Sequence, residues 1–270
     1  MNNKINFKWL ISGVIASLVT FSSFADHAWN YLGYDLHWKR DSKGPINIEL
    51  VDLSSSPSWH RYTRQAAKDW TKADTLNVNR NNSKSPVIRD TDGLLNPCVA
   101  KSECIMVFAE NYGQNGWLGL GGGWIEYDAD SDQMHWILGG AWMNDYYFDN
   151  FPFYNTSEWR QLVMCQEIGH ALGLGHNDED FNNVPTGTCM DYSSDPVPNQ
   201  HPDAHDYMVL DAMHDHVHDK VHTNGPPPII PPGIAQGEFG TIISSNQTSS
   251  VYVIDMGNGR YWLTHVTWAQ

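Results

Sequence analysis

Residues 165–176 read CQEIGHALGLGH, and this stretch organises the chain. Glu167 is the only charged side chain between Arg160 and His170, in a segment otherwise rich in apolar residues. A carboxylate buried in a helix is costly unless it is paired or has a chemical role. Positions four apart lie on one helix face, so Gln166 and His170 can converge on one ion with Glu167 beside them.

The residues after His170 extend the same pattern. Gly173 allows the chain to turn sharply at the end of the helix, which would bring His176 to the same ion from a loop. Two imidazoles, one further ligand and an open position make a catalytic zinc site, with the neighbouring carboxylate as general base. The spacing therefore predicts one catalytic Zn²⁺ at this helix.

The pattern resembles the HExxHxxGxxH signature of the metzincin metallopeptidases, with Gln166 in place of the first His. The resemblance implies that Glu167 is the catalytic acid/base and that His170 and His176 bind zinc. An amide oxygen is a weaker zinc ligand than imidazole, but it can complete the set, so Gln166 is the expected third ligand. An alternative is that another histidine, such as His201 or His205, replaces it.

The resemblance extends over about residues 46–218 and is closest to bacterial matrixin-like or astacin-like proteins. It implies a Met-turn at Met190 below the metal, and Tyr192, two residues later, as a further catalytic residue. It also implies a strand at the edge of the sheet above the cleft. An edge strand can hold an extended peptide substrate by main-chain hydrogen bonds. The residues expected in that strand are Leu118, Gly119, Leu120 and Gly121.

The expected fold class is α+β, with a mixed twisted sheet and a catalytic helix. The expected function is peptide-bond hydrolysis by a secreted zinc-dependent metalloendopeptidase. The alternative is an exported metzincin-like binding protein that keeps the cleft and has lost turnover. A third hypothesis makes the C-terminal appendage the basis of an adhesion or assembly role. The oligomeric state stays open.

The N-terminal segment favours a location outside the cytoplasm. Residues 1–25 have the charge and apolar pattern of a cleaved signal peptide, rather than of a stable membrane anchor. Their removal takes the net charge from −15 to −17, because it removes two lysines and no acid. Such a surface disfavours nucleic acid and anionic membranes as partners. The chain is therefore expected to be secreted or periplasmic.

Three further segments follow the signal peptide. Residues 26–224 form the expected metallopeptidase domain, and residues 225–233, GPPPIIPPG, read as a stiff extended linker. Residues 234–270 contain two or three strands, which are too few to be stable alone. This small β appendage is expected to dock on the main domain or to pair with another chain.

Four cysteines in an exported chain suggest two disulfides, with three possible pairings. We favour Cys98 with Cys104, which closes a short loop, and Cys165 with Cys189. The second pair would join the catalytic helix to the Met-turn.

Local patterns predict several elements around the site. Alternating residues predict a strand from Ile46, and Ser56 with Pro57 predicts the start of a helix whose buried side carries Trp59, Tyr62, Ala66 and Trp70. Asn155 and Glu158 resemble a capping arrangement at the start of the catalytic helix. The glycines of residues 119–123 indicate close backbone approach in a strand.

Two apolar stretches, 117–127 and 134–144, flank an acidic turn and predict a hairpin. The spaced aspartates of that turn weakly suggest Ca²⁺, against a plain solvated turn. A last helix is expected over residues 202–221. On it His214, His218 and His222 would stand four apart, a spacing that suggests weak metal binding against a solvated polar face.

Overall fold

The computed structural model describes residues 27–81, 89–90, 93–94, 103–218 and 229–270. The expected signal peptide at 1–25, Cys98, His222 and residues 225–228 of the proline-rich linker lie outside these residues. The strands are β1 Asn30–Tyr31, β2 Tyr34–Asp35, β3 His37–Trp38, β4 Ile46–Asp52, β5 Leu76–Asn81, β6 Arg89–Asp90, β7 Gly93–Leu94, β8 Cys104–Glu110, β9 Trp117–Asp128, β10 Gln133–Asn144, β11 Thr241–Ser245, β12 Ser249–Gly257 and β13 Arg260–Trp268. The helices are α1 His60–Trp70, α2 Asp145–Asn150, α3 Ser157–Leu172 and α4 Ala204–Met213, with short 3₁₀ turns at Pro57–Trp59 and Ile234–Gln236.

A nine-stranded mixed sheet forms the centre of the fold, which confirms the expected α+β class. Its main strand order is β11-β12-β13-β9-β10-β8-β4-β5. The pairs from β11 to β10 are antiparallel, whereas β10 to β8, β8 to β4 and β4 to β5 are parallel. β10 pairs with β9 along one side and with β3 and β8 along the other.

Helices α1 and α3 pack against the sheet and enclose the larger core. The expected helix after Ser56 is present as a 3₁₀ turn that leads into α1, and Trp59, Tyr62, Ala66 and Trp70 are all buried. The Ser56 side chain makes no capping hydrogen bond. The cap of α3 differs by one residue from the expectation. Thr156, not Asn155, is the N-cap, and its hydroxyl accepts a hydrogen bond from the Trp159 amide at 3.1 Å.

The hairpin expected on either side of the acidic turn is present as β9 and β10, in antiparallel register from Asp128 and Gln133. The glycines of β9 have the expected role as well. A Cβ added at Gly119 would lie 2.3 Å from Glu167 Oε1, and one at Gly121 would lie 2.6 Å from the Glu167 carbonyl oxygen. The small residues let α3 approach the strand closely.

The last helix is shorter than expected. α4 ends at Met213, so residues 214–218 are not helical and the expected helix over 202–221 is wrong in its second half. Arg40 accounts for the difference, because its guanidinium Nη1 donates to the His214 carbonyl at 2.7 Å. The Arg40 carbonyl then accepts from the His218 amide at 2.8 Å. These contacts take the chain out of the helix toward β3.

The C-terminal strands continue the central sheet, since β13 pairs with β9 over its whole length. A second buried cluster lies beside this junction and includes Trp124, Trp142 and Trp262. Ile234 and Phe239 from the segment before β11 belong to the same cluster. The Trp124 indole donates to the Ile229 carbonyl at 3.1 Å. Residues 229–270 are thus joined to the rest by both hydrogen bonds and apolar burial.

Candidate metal centre

Helix α3 carries the first residues of the site, and its end is set by Gly173. This glycine has φ +109°, a left-handed conformation that favours glycine. A Cβ there would also lie 2.2 Å from the Leu36 carbonyl oxygen. The turn brings the Leu174 carbonyl back to the His170 ring, where it accepts a hydrogen bond from Nδ1 at 2.8 Å.

Three histidines meet beside this turn: His170, His176 and His265. Each offers a nitrogen, and the three atoms lie within 4.8 Å of one another. The His170 ring stacks on that of His265 with centroids 3.9 Å apart, and His176 lies 4.6 Å from His265. The site is enclosed, because His170 is fully buried, His265 is 4% exposed and the His176 side chain is 1% exposed.

The nitrogens are arranged as ligands would be. Because Nδ1 of His170 donates to a carbonyl, its Nε2 carries the lone pair, and that atom has no hydrogen-bond partner in the described part of the chain. Both ring nitrogens of His176 also lack a hydrogen bond there, although Nδ1 stands 3.3 Å from Glu179 Oε1. Burial holds the pKa values of His170 and His265 well below the ordinary value. Neutral imidazoles are the form that binds metals.

Glu167 is fully buried beside α3 and β9. Its Oε1 accepts a hydrogen bond from the Thr267 hydroxyl at 2.8 Å, whereas Oε2 has no partner among the described residues. Burial raises the pKa of Glu167 well above its ordinary value, and the Thr267 hydrogen bond opposes that shift.

Gln166, the expected third ligand, has a fully buried amide that contacts two other segments. Its Nε2 donates to the Cys189 carbonyl at 3.0 Å, and its Oε1 lies 3.4 Å from the Thr267 hydroxyl. The third histidine nitrogen at the centre comes from His265. His201 instead pairs with Asp69 at 2.7 Å, and the His205 ring lies against His27.

The sequence offered only a faint signal for His265. It stands in an alternating series with Tyr261 and Leu263, where a histidine on an otherwise apolar strand reads as a core residue. Its position opposite Gly121 depends on the pairing of β13 with β9, which local patterns do not reveal.

The segment expected as the Met-turn packs against α3. A Cβ added at Gly169 would be 2.4 Å from Met190 Sδ, so the sulfur packs directly against α3. The expected Cys165–Cys189 disulfide is present and joins this segment to the helix. The Tyr192 hydroxyl donates to the Trp268 carbonyl at 2.8 Å, and burial raises the pKa of this phenol well above its ordinary value.

The strand expected at the edge of the cleft is internal. β9 pairs with β10 on one side and with β13 on the other, so the residues 118–121 do not form a free edge. His265 is paired with Gly121, Val266 with Leu120 and Thr267 with Gly119. β13 therefore occupies the edge of β9 at which an extended peptide substrate was expected to pair.

The acidic turn between β9 and β10 is held by protein groups. Asp128 accepts from the Lys39 ammonium at 2.7 Å. Asp132 accepts from the hydroxyls of Tyr34 and Tyr127 at 2.9 and 2.8 Å. Two carboxylates of the weakly suggested Ca²⁺ site are thus already engaged.

Cysteine usage agrees with an oxidising compartment. The Cys165–Cys189 disulfide indicates a non-cytoplasmic location. Cys104 is also disulfide-bonded, while its expected partner Cys98 lies outside the described residues. None of the helices in the described ranges has the length and apolar character that crossing a bilayer requires.

Comparison with protein-family models found no match, and a search of curated proteins found none either.

Proposed function

We propose that this chain is an exported zinc-dependent metallopeptidase held in a latent form by its own C-terminal strand. The observation that carries the proposal is that β13 contacts each group of the expected catalytic apparatus. Within β13, His265 lies beside His170 and His176. The Thr267 hydroxyl donates a hydrogen bond to Glu167, and the Trp268 carbonyl accepts one from Tyr192. Peptides or proteins outside the cytoplasm are the proposed substrates.

The donor set at the centre fits zinc. Imidazole nitrogen is a preferred zinc ligand, and three such nitrogens converge there. A purely structural packing leaves the unpartnered nitrogens unexplained, since a buried polar atom without a partner costs about 1–3 kcal/mol. When bound, zinc would supply Lewis acidity, which polarises a carbonyl and lowers the pKa of a water molecule.

Glu167 is the proposed proton carrier. In the closed form its Oε2 has no partner within the described ranges, so it can accept a proton from the attacking water and return it to the leaving amine. Burial raises the pKa of Glu167 in the closed form. A general base works best when its pKa lies near the operating pH. Tyr192, once its hydroxyl leaves the Trp268 carbonyl, can donate to the developing oxyanion.

The groove along β9 is the proposed substrate site. An extended peptide would pair with β9 by main-chain hydrogen bonds, as β13 now does. Displacement of β13 would also remove Thr267 from the Gln166 and Glu167 side chains. Gln166 would then be available as the third ligand in place of His265. Because an amide oxygen binds zinc less strongly than imidazole, the open form should hold zinc more weakly.

A second function has specific support. Glu167 and His170 are fully buried, and β13 covers β9 from Trp117 to Glu126. If β13 never leaves, the three histidines form a permanent structural metal site in an exported binding protein without turnover.

Cleavage of the linker is the experiment that distinguishes the latent peptidase from the binding protein. A recognition site for a specific protease is inserted within residues 225–233, and the zinc-supplemented protein is assayed on casein before and after cutting. We expect little hydrolysis from intact protein and clear hydrolysis after cutting and dissociation of the C-terminal fragment.

The Glu167→Ala variant, carrying the same inserted site, is the matched control. It should be cut and should release the fragment equally well, yet gain no activity. A cut, dissociated and folded wild-type sample that retains zinc without digesting casein would exclude the peptidase and leave the binding protein.

A further inference from the structure

A second group of histidines lies apart from the catalytic helix, where β3, β10 and the segment after α4 meet. The His37 ring stands 4.9 Å from that of His216 and 5.8 Å from that of His218. His135 on β10 lies 4.6 Å from His37 and 4.4 Å from His218. Three separate parts of the sequence thus bring imidazoles to one place.

Hydrogen bonds show which nitrogens are available. Nδ1 of His37 donates to the Asp35 carbonyl at 2.9 Å, so its Nε2 carries the lone pair. That atom lies 3.2 Å from Nε2 of His216. Two nitrogens bound to one tetrahedral zinc ion at the usual length stand about 3.3 Å apart. His218 Nε2 is buried and has no hydrogen-bond partner in the described ranges.

In His214, by contrast, both ring nitrogens already form hydrogen bonds. Its Nδ1 donates to the Leu210 carbonyl at 2.7 Å, and its Nε2 accepts from the Trp38 amide at 3.2 Å. This histidine serves the end of α4, although it belongs to the same neighbourhood. The ligand atoms of His37, His216 and His218, which lie within reach of one another, therefore form a subset of the cluster, rather than the cluster as a whole.

We propose that His37, His216 and His218 form a second binding site for a divalent transition-metal ion, with zinc as the best-suited class. Their ligand atoms lie within 4.8 Å of one another, and imidazole donors suit zinc rather than Ca²⁺ or Mg²⁺. A bound ion would fasten the segment after α4 to β3. The site does not depend on the proposed peptidase activity.

An ion can reach the site from solvent. A cleft of about 350 Å³ borders it, and His37 and His216 line that cleft together with Asp35, Gln133 and Met213. Gln133 Oε1 lies 3.2 Å from His216 Nε2. The rival explanation is that His216 Nε2 donates a hydrogen bond to His37 Nε2 or to Gln133 Oε1, in which case no ion is needed.

Zinc stoichiometry tests the proposal. Untagged, zinc-loaded protein is freed of loosely bound metal and analysed by mass spectrometry, beside His216→Ala/His218→Ala and the exposed-site control His201→Ala. We expect about two zinc ions per chain in the wild type and the control, and about one in the double variant. His170→Ala should lose the other ion.

Near-ultraviolet circular dichroism checks that the variants are folded. If the double variant does not fold, His216→Gln and His218→Gln singly provide the same measurement with smaller changes in volume. Equal zinc content in the wild type and in folded variants at these positions would overturn the second site. If the centre at His170, His176 and His265 binds no zinc, the wild type should instead hold one zinc ion per chain, and the His216→Ala/His218→Ala variant should hold none.

Discussion

The Thr267 hydroxyl lies 2.8 Å from Glu167 Oε1 and 3.4 Å from Gln166 Oε1. One side chain near the end of the chain thus contacts two neighbouring polar groups on the helix that organises the fold. All three side chains are fully buried. The arrangement makes the last strand part of the site rather than an appendage beside it.

Replacing Thr267 by Val should destabilise the closed protein. Val keeps the β-branched shape but removes the donor, so Glu167 loses its hydrogen bond in a buried setting. We expect the free energy of unfolding in urea to fall by about 1–3 kcal/mol. Thr267→Ser keeps the hydroxyl and is the control. An equal loss in both variants would show that packing of the methyl group, not the hydrogen bond, is what matters.

Gly121→Ala should be disruptive because β9 and α3 are so close. The added Cβ would lie 2.6 Å from the Glu167 carbonyl oxygen and 2.8 Å from the His170 Cβ. We expect a loss of about 1–3 kcal/mol in the free energy of unfolding, typical of overpacking. Gly44→Ala, where the nearest atom is 3.8 Å away, should change stability by less than about 0.5 kcal/mol. Similar values for both variants would contradict the close approach.

Metal-free protein should lose stability as the pH falls below 6.5. Burial lowers the pKa of His37 to about 4 and that of His214 to about 3. Between these values and 6.5 the unfolded chain binds protons that the folded chain does not, so acid favours unfolding. Each such histidine contributes about 1.4 kcal/mol per pH unit in that window.

Urea unfolding at several pH values between 7.5 and 4.5 measures this slope. In His37→Gln it should be shallower by about 1.4 kcal/mol per pH unit, because one of these groups is absent. An equal slope in His37→Gln and in the wild type would show that His37 binds protons equally in the folded and unfolded chains, and would contradict the lowered pKa.

Much of the fold could be predicted because its signals are local. The helical pattern around Glu167, the turn at Gly173 and the hairpin of β9 and β10 each depend on residues close in sequence. The Cys165–Cys189 disulfide was also anticipated, since both cysteines flank the proposed site. The end of α4 was missed because Arg40, far away in sequence, binds the His214 carbonyl.

The candidate site was only partly predictable for the same reason. His170 and His176 are fixed by one helix and one turn, whereas His265 arrives through strand pairing with β9. The alternation of residues along β13 predicts which side chains share a face of the strand, but it does not predict which strand pairs with β13. Gln166 stands where the expected motif has a histidine, and nothing near it in the sequence points to His265.

Zinc content of two variants tests the three-histidine centre most directly. Gln166→Met and His265→Ala are each prepared in the His216→Ala/His218→Ala background, so that zinc bound there does not enter the count. We expect Gln166→Met to retain about one zinc ion per chain and folded His265→Ala to lose it. Loss of zinc from a folded Gln166→Met variant, with zinc retained by His265→Ala, would contradict the account.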